Sequence, residues 1–388
     1  MKIFVILSRV PYPLEKGDKL RAFHQIKELS KHNDIFLFAL NDAPFHPKAL
    51  EELKPYCKAI KFYHFKKKDI FKNLISAFFS KLPMQVGYFY NGWIKKVMMQ
   101  DIKKFAPDLI YCQLIRTAEY VKEIKDIPKL IDYMDVFSKG VERRIEKVPF
   151  YLKPVFNMEY KRLLKYEHDV FDDFTYKTII SVQDRSHIPH PDKEKIVVIP
   201  NGVDTDFFFP VEIEKEYDIL FSGNMSYPPN VDSAVYLVEE ILPLLLPTHP
   251  DLKVLISGAD PSKKVQSLQS KNVIVSGWVD DIRESFAESK MLVAPMQLSI
   301  GLQNKLLQAM AMGIPVITSI LANNAIHATP DNHILVAENP KEYAAHILSL
   351  LDNPYKGNAI AANALEFVKS NFTWEAMNDK LEKMINQK

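Results

Sequence analysis

From residue 218 onwards the sequence alternates short apolar runs with amphipathic helical patterns, and this alternation restricts the fold more than any other feature. The runs are DILFSG, LKVLISG, NVIVSGWV, MLVAPM, PVITS and HILVA, with helical patterns such as NVDSAVYLVEEILPLLL and PKEYAAHILSLL between them. Continuous apolar strands that alternate with helices predict a parallel sheet covered on both faces. Glycines follow several of these strands, at the edge where open parallel sheets bind ligands.

The first half of the chain has the same character with less regular spacing. Strands are predicted for KIFVILS, DIFLFAL, AIKFYHF, DLIYCQL, KLIDYMD and KTIISVQ, and a long helix for roughly residues 140–172. Residues 199–210, IPNGVDTDFFFP, have the Pro and Asn-Gly of a connector. A length of 388 residues favours two domains. We therefore expect an α/β protein with two doubly wound domains, residues 1–200 and 201–388.

Composition and charge exclude several classes of protein. The formal net charge of +2 is not that of a nucleic-acid-binding domain, so no nucleic-acid partner is expected. The two cysteines, Cys57 and Cys112, are too few for a disulfide framework and too far apart for a zinc site, which favours a reducing compartment. The start of the chain, MKIFVILSRVPYP, has too short an apolar run for a signal peptide or a membrane span. We expect a cytoplasmic protein.

The segment GLQNKLLQAMAMGIPVITS, residues 301–319, predicts an amphipathic helix with a glycine directly before it. The apolar residues of this helix share one face, whereas Asn304, Lys305 and Gln308 form a polar stripe on another. A cation and two amides beside Gly301 are an unusual combination for a short helix that otherwise belongs to a core. The stripe is therefore a candidate binding site.

Five motifs in fixed order resemble the retaining glycosyltransferases of family 4. They are RVPYPLEKGDKLRAFH (9–24), VIPNGVDTDFFFP (198–210), FSGNMSYPPNVD (221–232), VSGWVDDIR (275–283) and GLQNKLLQAMAMGIPVITS (301–319). The chain looks most similar to bacterial sugar transferases associated with exopolysaccharide and PEP-CTERM sorting systems. This resemblance implies the GT-B architecture, in which two Rossmann-like domains face each other across a cleft. The N-terminal domain would bind a glycan or lipid-linked acceptor and the C-terminal domain a nucleoside-diphosphate sugar, and the last helix, about 374–387, would cross back to the N-terminal domain.

The resemblance also implies the residues of the site. Gly301 and the backbone N–H groups after it would hold the donor diphosphate, Lys305 would neutralise it, and Gln308 would hold the ribose hydroxyls. Gly17, at the start of the first predicted helix, would face the same diphosphate, and the GWV segment would hold the base. The candidate donor-binding residues are Gly17, Gly223, Asn224, Gly277, Trp278, Val279, Gly301, Leu302, Gln303, Asn304 and Gln308, and the candidate catalytic residues are Lys305 and Asp135.

The sequence departs from the family pattern at several positions. The family carries a Glu-x7-Glu pair where this chain has Ile300 and Gln308, and it often has an arginine where this chain has Asn224. A histidine common after a mid-domain strand is absent, and Asp132 and Asp135 occur there instead. Two alternatives to a transferase stay open. Ile300 and Gln308 motivate a degenerate sugar-nucleotide-binding subunit without turnover, and a sugar-nucleotide 2-epimerase would share the same architecture.

Several of these residues also permit a purely structural interpretation. Gly17 suits a turn that needs a positive φ angle, Lys305 can lie along the core with its ammonium in water, and Trp278 can be a core or surface aromatic. The Asp-x-Asp motif at 204–206 is similar to the metal-binding motif of the other glycosyltransferase fold, but it lies in the connector. No metal or other cofactor is expected, since the sugar nucleotide is itself the substrate.

Residues 66–104 combine lysine clusters with Phe, Tyr and Trp. This composition suits peripheral contact with an anionic membrane surface. It equally suits a solvated helix over the core of the N-terminal domain. Both interpretations stay open from the sequence.

Overall fold

The computed structural model describes residues 1–146, 148–297 and 302–386. The chain divides into two compact units, which we describe separately. Unit 1 comprises Met1–Pro200 and the end of the chain from Asn378, and unit 2 comprises Asn201–Met377. In the described residues, no helix combines the length and the apolar character that crossing a membrane requires.

Unit 1 is built on a parallel sheet, in which the described residues form seven strands. The strands are β1 (Lys2–Leu7), β2 (Asp34–Asn41), β3 (Ala59–His64), β4 (Leu109–Gln113), β5 (Lys129–Asp132), β6 (Tyr176–Ile179) and β7 (Val197–Val198). Their order is β3-β2-β1-β4-β5-β6-β7. The order reverses at β1, and such a switch point opens a ligand-binding crevice at the carboxyl ends of the strands.

The helices of unit 1 are α1 (Gly17–Leu29), α2 (Ala49–Leu53), α3 (Lys67–Phe79), α4 (Met84–Phe89), α5 (Gly92–Phe105), α6 (Phe137–Ile145), α7 (Lys153–Phe171) and α8 (Val182–His187). The prediction of one long helix over 140–172 is wrong, because α6 ends at Ile145 and α7 begins at Lys153. Pro149 lies in the break and Pro154 occupies the first turn of α7. Proline has no N–H to donate and is tolerated only in the first turn of a helix.

Unit 2 has a second parallel sheet of the same kind. Its strands are β8 (Tyr217–Ser222), β9 (Val254–Ser257), β10 (Val273–Gly277), β11 (Ser289–Ala294), β12 (Val316–Ser319) and β13 (Leu335–Ala337). Across the described residues their order is β10-β9-β8-β11-β12-β13, so the switch point lies at β8. The helices are α9 (Pro228–Tyr236), α10 (Leu242–Leu245), α11 (Lys263–Gln266), α12 (Ile282–Ala287), α13 (Asn304–Ala311), α14 (Ile320–Asn323), α15 (Pro340–Asp352), α16 (Pro354–Asn371) and α17 (Trp374–Asn386), the last of which belongs to unit 1 from Asn378.

The apolar core lies on both faces of each sheet. Val5 and Ile6 in β1, and Leu292 and Val293 in β11, are completely buried. Successive residues of a strand point to opposite faces, so helices must cover both sides. The predicted α/β class with two doubly wound sheets is confirmed.

Candidate functional site

Three glycines follow three neighbouring strands at the carboxyl edge of the unit 2 sheet. Gly223 follows β8, Gly258 follows β9 and Gly277 ends β10, and their φ angles are 149°, 141° and 70°. The Gly258 N–H donates to the Gly277 carbonyl (2.9 Å). A Cβ atom on Gly258 would lie 1.8 Å from the Gly223 carbonyl oxygen. This edge therefore requires glycine at Gly258 and presents backbone rather than side chains. Sequence reasoning did not include Gly258 in the site, although it follows a strand as Gly223 does.

Lys305 reaches this edge from α13. The residue is only 8% exposed. Its Nζ donates to Oδ1 of Asn230 (2.7 Å) and lies 4.5 Å from the centroid of the Phe221 ring. Desolvation of the ammonium lowers the pKa of Lys305 to about 7. The alternative in which Lys305 extends into water along the core is therefore wrong.

Asn230 connects Lys305 to the loop after β8. While its Oδ1 accepts from Lys305, its Nδ2 donates to the Asn224 carbonyl (2.9 Å). A Cβ atom on Gly223 would lie 2.7 Å from Asn230 Nδ2 and 3.2 Å from Lys305 Nζ, so Gly223 leaves the space in which these side chains meet. Sequence reasoning missed Asn230 because its partner is 75 residues away. Its place after two prolines at the start of α9 was the available signal.

The charge of Lys305 is not balanced by its hydrogen-bond partner. Among the described residues no acidic side chain pairs with Lys305, and its pKa shift arises from desolvation without a contribution from a nearby charge. A buried ammonium is unfavourable unless an opposite charge joins it. The arrangement can therefore bind an anion such as a phosphate through a charge-assisted hydrogen bond.

The start of α13 lies next to Lys305. Asn304 is the first residue of the helix and Gln303 is its N-cap, and the Gln303 side chain forms no capping hydrogen bond. Leu302 is half-buried against the apolar core of unit 2. The Leu306 N–H donates to the Gln303 carbonyl (3.0 Å). The N–H groups before it have no acceptor one turn earlier in the helix, as in any helix, and can bind an anion. Gly301 and Ile300, which the sequence also placed here, lie outside the described residues.

The remaining predicted donor-binding residues surround the same edge of unit 2. Gln308 is half-buried, about one turn beyond Lys305 on α13. Trp278 is 62% exposed after Gly277, which rules out a core position, and Val279 is half-buried beside it.

Asn224 uses its side chain locally. Its Oδ1 accepts from the Ser226 N–H (2.9 Å) and from the Ser226 hydroxyl (2.7 Å). This closes a tight turn after β8, of the kind that asparagine commonly forms. The Asn224 carbonyl, rather than its amide side chain, provides the link to Asn230 and Lys305.

In unit 1, Gly17 is the first residue of α1, the helix that follows β1. Its φ angle is not positive, and nothing lies within 4 Å of a Cβ atom built on it. The interpretation of Gly17 as a turn with positive φ is therefore wrong. The open space permits a ligand to approach the first backbone N–H groups of α1.

Charged side chains follow several strands at the carboxyl edge of the unit 1 sheet. Asp135, after β5, is exposed to water, but the surrounding protein atoms raise the pKa of its carboxyl group by desolvation, and Asp184 raises it further. Arg116, after β4, packs on the Phe137 ring (4.7 Å), and burial lowers the pKa of its guanidinium to about 10. Sequence reasoning selected Asp135 and missed Arg116, whose position depends on packing between separate loops.

A cavity of about 390 Å³ lies beside the start of α1, at the ends of β1 and β2. Its lining includes Arg9, Tyr12, Glu15, Lys16, Lys19, Asp42, Phe45 and His46. Three of these side chains are cationic and two are acidic. Desolvation lowers the pKa of Lys19. The cavity suits a polar ligand that carries an anionic group.

Asp132, the last residue of β5, has a structural role. It is completely buried and accepts hydrogen bonds from Arg21 Nε (2.6 Å) and Nη2 (3.2 Å). The Thr178 hydroxyl (3.0 Å) and the Tyr111 hydroxyl (3.2 Å) donate to it as well. With its oxygens occupied and no exposure, Asp132 does not meet a substrate.

The Asp-x-Asp motif of the connector closes a turn. Asp204 Oδ1 accepts from the N–H groups of Asp206 and Phe207, both at 3.1 Å. In the part of the chain that the structure describes, no group of three or more His, Cys, Asp or Glu side chains is placed to hold a metal ion.

Residues 216–353, from the start of β8 to the end of α15, match the family model described as "Glycosyl transferases group 1". This segment is therefore similar to group 1 glycosyl transferases. The matched segment contains the three glycines of the sheet edge, Asn230 and Lys305.

The whole chain also has relatives and structural neighbours. It is 22% identical to the "Uncharacterized 44.6 kDa protein in cps region" of Klebsiella pneumoniae, over 96% of each chain. Sucrose-phosphate synthase from Thermosynechococcus elongatus is similar in structure, with a TM-score of 0.69 and 16% identity over 100% of this chain and 99% of that one. HepE of Anabaena in complex with UDP has a TM-score of 0.70 and 14% identity over 100% of both chains. These likenesses show the GT-B fold for this protein.

Proposed function

We propose that this protein transfers a sugar, with retention of configuration, from a nucleoside-diphosphate sugar to a glycan or lipid-linked glycan acceptor during polysaccharide biosynthesis. The similarity of residues 216–353 to group 1 glycosyl transferases supports the reaction class. The relative encoded in a cps region supports the polysaccharide role. The neighbour HepE has been solved with UDP and with UDP-glucose, which supports the class of donor.

The observation that carries this proposal is the buried Lys305 ammonium, whose hydrogen-bond partner is neutral. A departing nucleoside diphosphate develops negative charge on its phosphate oxygens. A cation held in place before the reaction stabilises that charge in the transition state, because it needs no reorganisation. Lys305 and the N–H groups that open α13 supply this stabilisation.

The other candidate residues of the matched segment orient the donor. Gln308 accepts from or donates to the ribose hydroxyls, and Trp278 and Val279 hold the base against the backbone of Gly277. The open edge at Gly223 and Gly258 admits the diphosphate close to the main chain. Binding in this way lowers the entropic barrier by fixing the anomeric carbon near the acceptor.

Unit 1 binds the acceptor in this proposal, through the cavity beside α1 and through Asp135 and Arg116. Retention follows from attack on the face that the diphosphate leaves. The bond from the anomeric carbon to the phosphate oxygen breaks, the acceptor oxygen bonds to that carbon, and its proton passes to the departing phosphate. Asp135 positions the acceptor hydroxyl. The reaction needs no resident cofactor, so activity should survive treatment with a metal chelator.

The test is incubation of the purified protein with UDP-, GDP- and ADP-sugars and oligosaccharide or lipid-linked acceptors. We expect one donor to give an acceptor product whose anomeric configuration, measured by NMR, equals that of the donor. A product of opposite configuration would refute retention. Donor conversion to its 2-epimer without an acceptor would identify an epimerase, and tight nucleotide binding without any turnover would identify a degenerate binding subunit.

A further inference from the structure

Helix α3 packs Ile70 against the core of unit 1 but exposes a second apolar side to water. Of its 13 residues only Ala77 is buried. Its large apolar side chains Phe71, Ile75, Phe78 and Phe79 are all exposed, Phe79 at 83%. They recur at intervals of three and four residues and so share one side of the helix. Exposed apolar clusters of this kind mark interaction surfaces.

Helix α5 shows that this exposure is specific to α3. Within the same lysine-rich region 66–104, α5 buries Ile94, Met98 and Ile102 in the core of unit 1. It leaves Lys96, Lys103 and Lys104 in water, as a solvated surface helix does, and its half-buried Lys95 pairs with Glu123 (2.8 Å). The solvated-helix interpretation therefore describes α5, and α3 requires a different one.

The orientation of α3 is fixed by its neighbours. A Cβ atom on Gly87 in α4 would lie 2.3 Å from Ala77 Cβ, so the glycine permits close packing of the two helices. Arg162 of α7 donates to the carbonyls of Ala77 (2.8 Å) and Phe78 (3.0 Å) at the end of α3. These contacts hold α3 with its aromatic side chains directed into water.

A second exposed apolar segment adjoins this side of unit 1. Glu159 of α7 accepts from the N–H groups of Met84 (2.7 Å) and Gln85 (3.1 Å) at the start of α4. Val155, Glu159 and Arg162 have the spacing of one helix face, so Val155 extends that face by one turn. The segment 150–155, which runs into the start of α7, carries further exposed apolar side chains. We define the docking face as Phe71, Ile75, Phe78, Phe79, Phe150, Tyr151, Leu152 and Val155, all of them exposed.

The docking face is surrounded by positive charge. Residues 66–81 contain five lysines and one aspartate, a net charge of +4 in 16 residues. The lysines, Lys66, Lys67, Lys68, Lys72 and Lys81, are all exposed, and Lys153 adds a further exposed cation beside the second segment. Lysine is depleted from protein–protein interfaces, whereas lysine beside Phe, Tyr and Leu is typical of segments that lie in the interfacial region of an anionic bilayer.

We propose that the docking face binds the surface of an anionic lipid bilayer, with its aromatic side chains at the boundary between headgroups and acyl chains and its lysines on the anionic headgroups. This contact holds unit 1 at the membrane. It concerns residues remote from Lys305 in sequence and does not depend on the identity of the donor.

The experiment is co-flotation of the full chain with vesicles of phosphatidylcholine alone and of roughly three parts phosphatidylcholine to one part phosphatidylglycerol. We expect binding to the anionic vesicles at about 50 mM salt and release at about 500 mM, because salt screens the lysines. Phe78→Ser with Phe79→Ser should lower the partition coefficient at least tenfold. Phe150→Ser with Tyr151→Ser should lower it by a similar factor.

Matched controls come from exposed residues outside the docking face. Tyr355→Ser removes an aromatic ring that is 87% exposed in unit 2, and Trp93→Ser removes one that is 65% exposed on α5. Neither should change vesicle binding. Lys68→Gln with Lys72→Gln should lower binding about 25-fold, at about fivefold per lysine, whereas Lys103→Gln with Lys104→Gln on α5 should have a much smaller effect.

Three outcomes would overturn the proposal. The first is no binding of the wild type to anionic vesicles at low salt, and the second is equal binding by the docking-face variants and their controls. The third is self-association of the wild type that the docking-face variants abolish, since a second copy of the chain would then cover this surface. UDP affinity, measured in parallel and expected to be the same in all variants, separates a failure here from a failure of the proposed transferase function.

Discussion

Two of the buried cations among the described residues, Arg21 in unit 1 and Lys305 in unit 2, are satisfied in opposite ways. In unit 1, Arg21 forms two hydrogen bonds to the carboxylate of Asp132, and both side chains have no exposure. In unit 2, Lys305 donates to the neutral amide oxygen of Asn230. Arg21 therefore has its counter-charge inside the protein, whereas no carboxylate in the part of the chain that the structure describes pairs with Lys305.

The difference separates a structural brace from a binding site. The Arg21–Asp132 pair ties α1 to β5, and its charges and hydrogen bonds are complete, as burial of an ion pair requires. Lys305 is also buried, at 8% exposure, but no carboxylate of the described residues pairs with it, so the folded state bears a desolvation cost that an incoming anion offsets. Burial alone does not distinguish the two, and the chemical type of the partner does.

The largest effect is expected for the brace. Arg21→Ala should lower the free energy of unfolding by about 3–5 kcal/mol, because it leaves the Asp132 carboxylate buried and unpaired. Urea denaturation measures this. Arg9→Ala is the matched control, since Arg9 pairs with Asp18 at 2.8 Å near the surface and its loss should cost less than about 1 kcal/mol. Equal costs for the two variants would mean that the buried pair is no more important than an exposed one.

Lys305→Met should act on catalysis rather than on folding. We expect kcat/KM to fall by the factor that corresponds to a loss of about 2–4 kcal/mol of transition-state stabilisation. The free energy of unfolding should stay the same or rise, because a buried charge is removed. Steady-state kinetics and thermal denaturation of one preparation give both quantities. Lys290→Met, which removes an exposed lysine paired with Asp218, should leave kcat/KM unchanged. A loss of stability as large as that of Arg21→Ala would mean that Lys305 stabilises the fold as Arg21 does.

Asn230→Asp gives Lys305 a carboxylate partner, like the one that Arg21 has in Asp132. In the wild type the pKa of Lys305 is about 7, well below that of an exposed lysine, so the charged form is lost as the pH rises through 7. UDP affinity should therefore fall above pH 7, by at most about tenfold per pH unit, with proton uptake on binding. A carboxylate at position 230 raises the pKa of Lys305, so the UDP affinity of the variant should depend little on pH between 6 and 8.5. At pH 6.5 the variant should bind UDP about tenfold more weakly than the wild type, because the added negative charge repels the diphosphate.

Calorimetry in two buffers of different ionisation enthalpy measures both affinity and proton uptake. A wild-type affinity that does not change between pH 6 and 8.5 would show that Lys305 is not the group that meets the phosphate. Asn230→Leu, which removes the hydrogen bond without adding charge, should keep a pH-dependent affinity.

The smallest effect is expected for Gln308. Gln308→Ala should weaken UDP binding by about 1 kcal/mol, roughly fivefold, through loss of a hydrogen bond to a ribose hydroxyl. The melting temperature should stay the same, since the side chain is half-exposed. If the variant instead lost stability and kept its affinity, Gln308 would bond the protein itself and not the nucleotide.

Much of the fold could be predicted from local sequence, because a strand buried on both faces must be apolar throughout. The run KIFVILS predicted β1 and MLVAPM predicted β11 on that basis alone. The prediction of one helix over 140–172 failed because it followed the helical periodicity of the segment across Pro149, which lies in the break between two helices. The break was also predictable from the local sequence, because a proline has no N–H to donate inside a helix.

The site was predictable only in part. Lys305, Gly223 and Gly277 stood out because a cation in an apolar helix and glycines after strands are visible in the sequence. Asn230 and Gly258 were not, since their roles depend on atoms brought together from different loops.

By itself the sequence determined that two parallel sheets form, where their carboxyl edges lie, and that residues 66–104 combine lysine with aromatic side chains. Tertiary structure decided what those side chains contact. Helices α3 and α5 both carry lysine and large apolar side chains, yet α5 buries Ile94, Met98 and Ile102 in the core whereas α3 exposes most of its large apolar side chains. A periodic pattern states that a helix has an apolar side, and only the packing of distant segments settles whether the protein covers it.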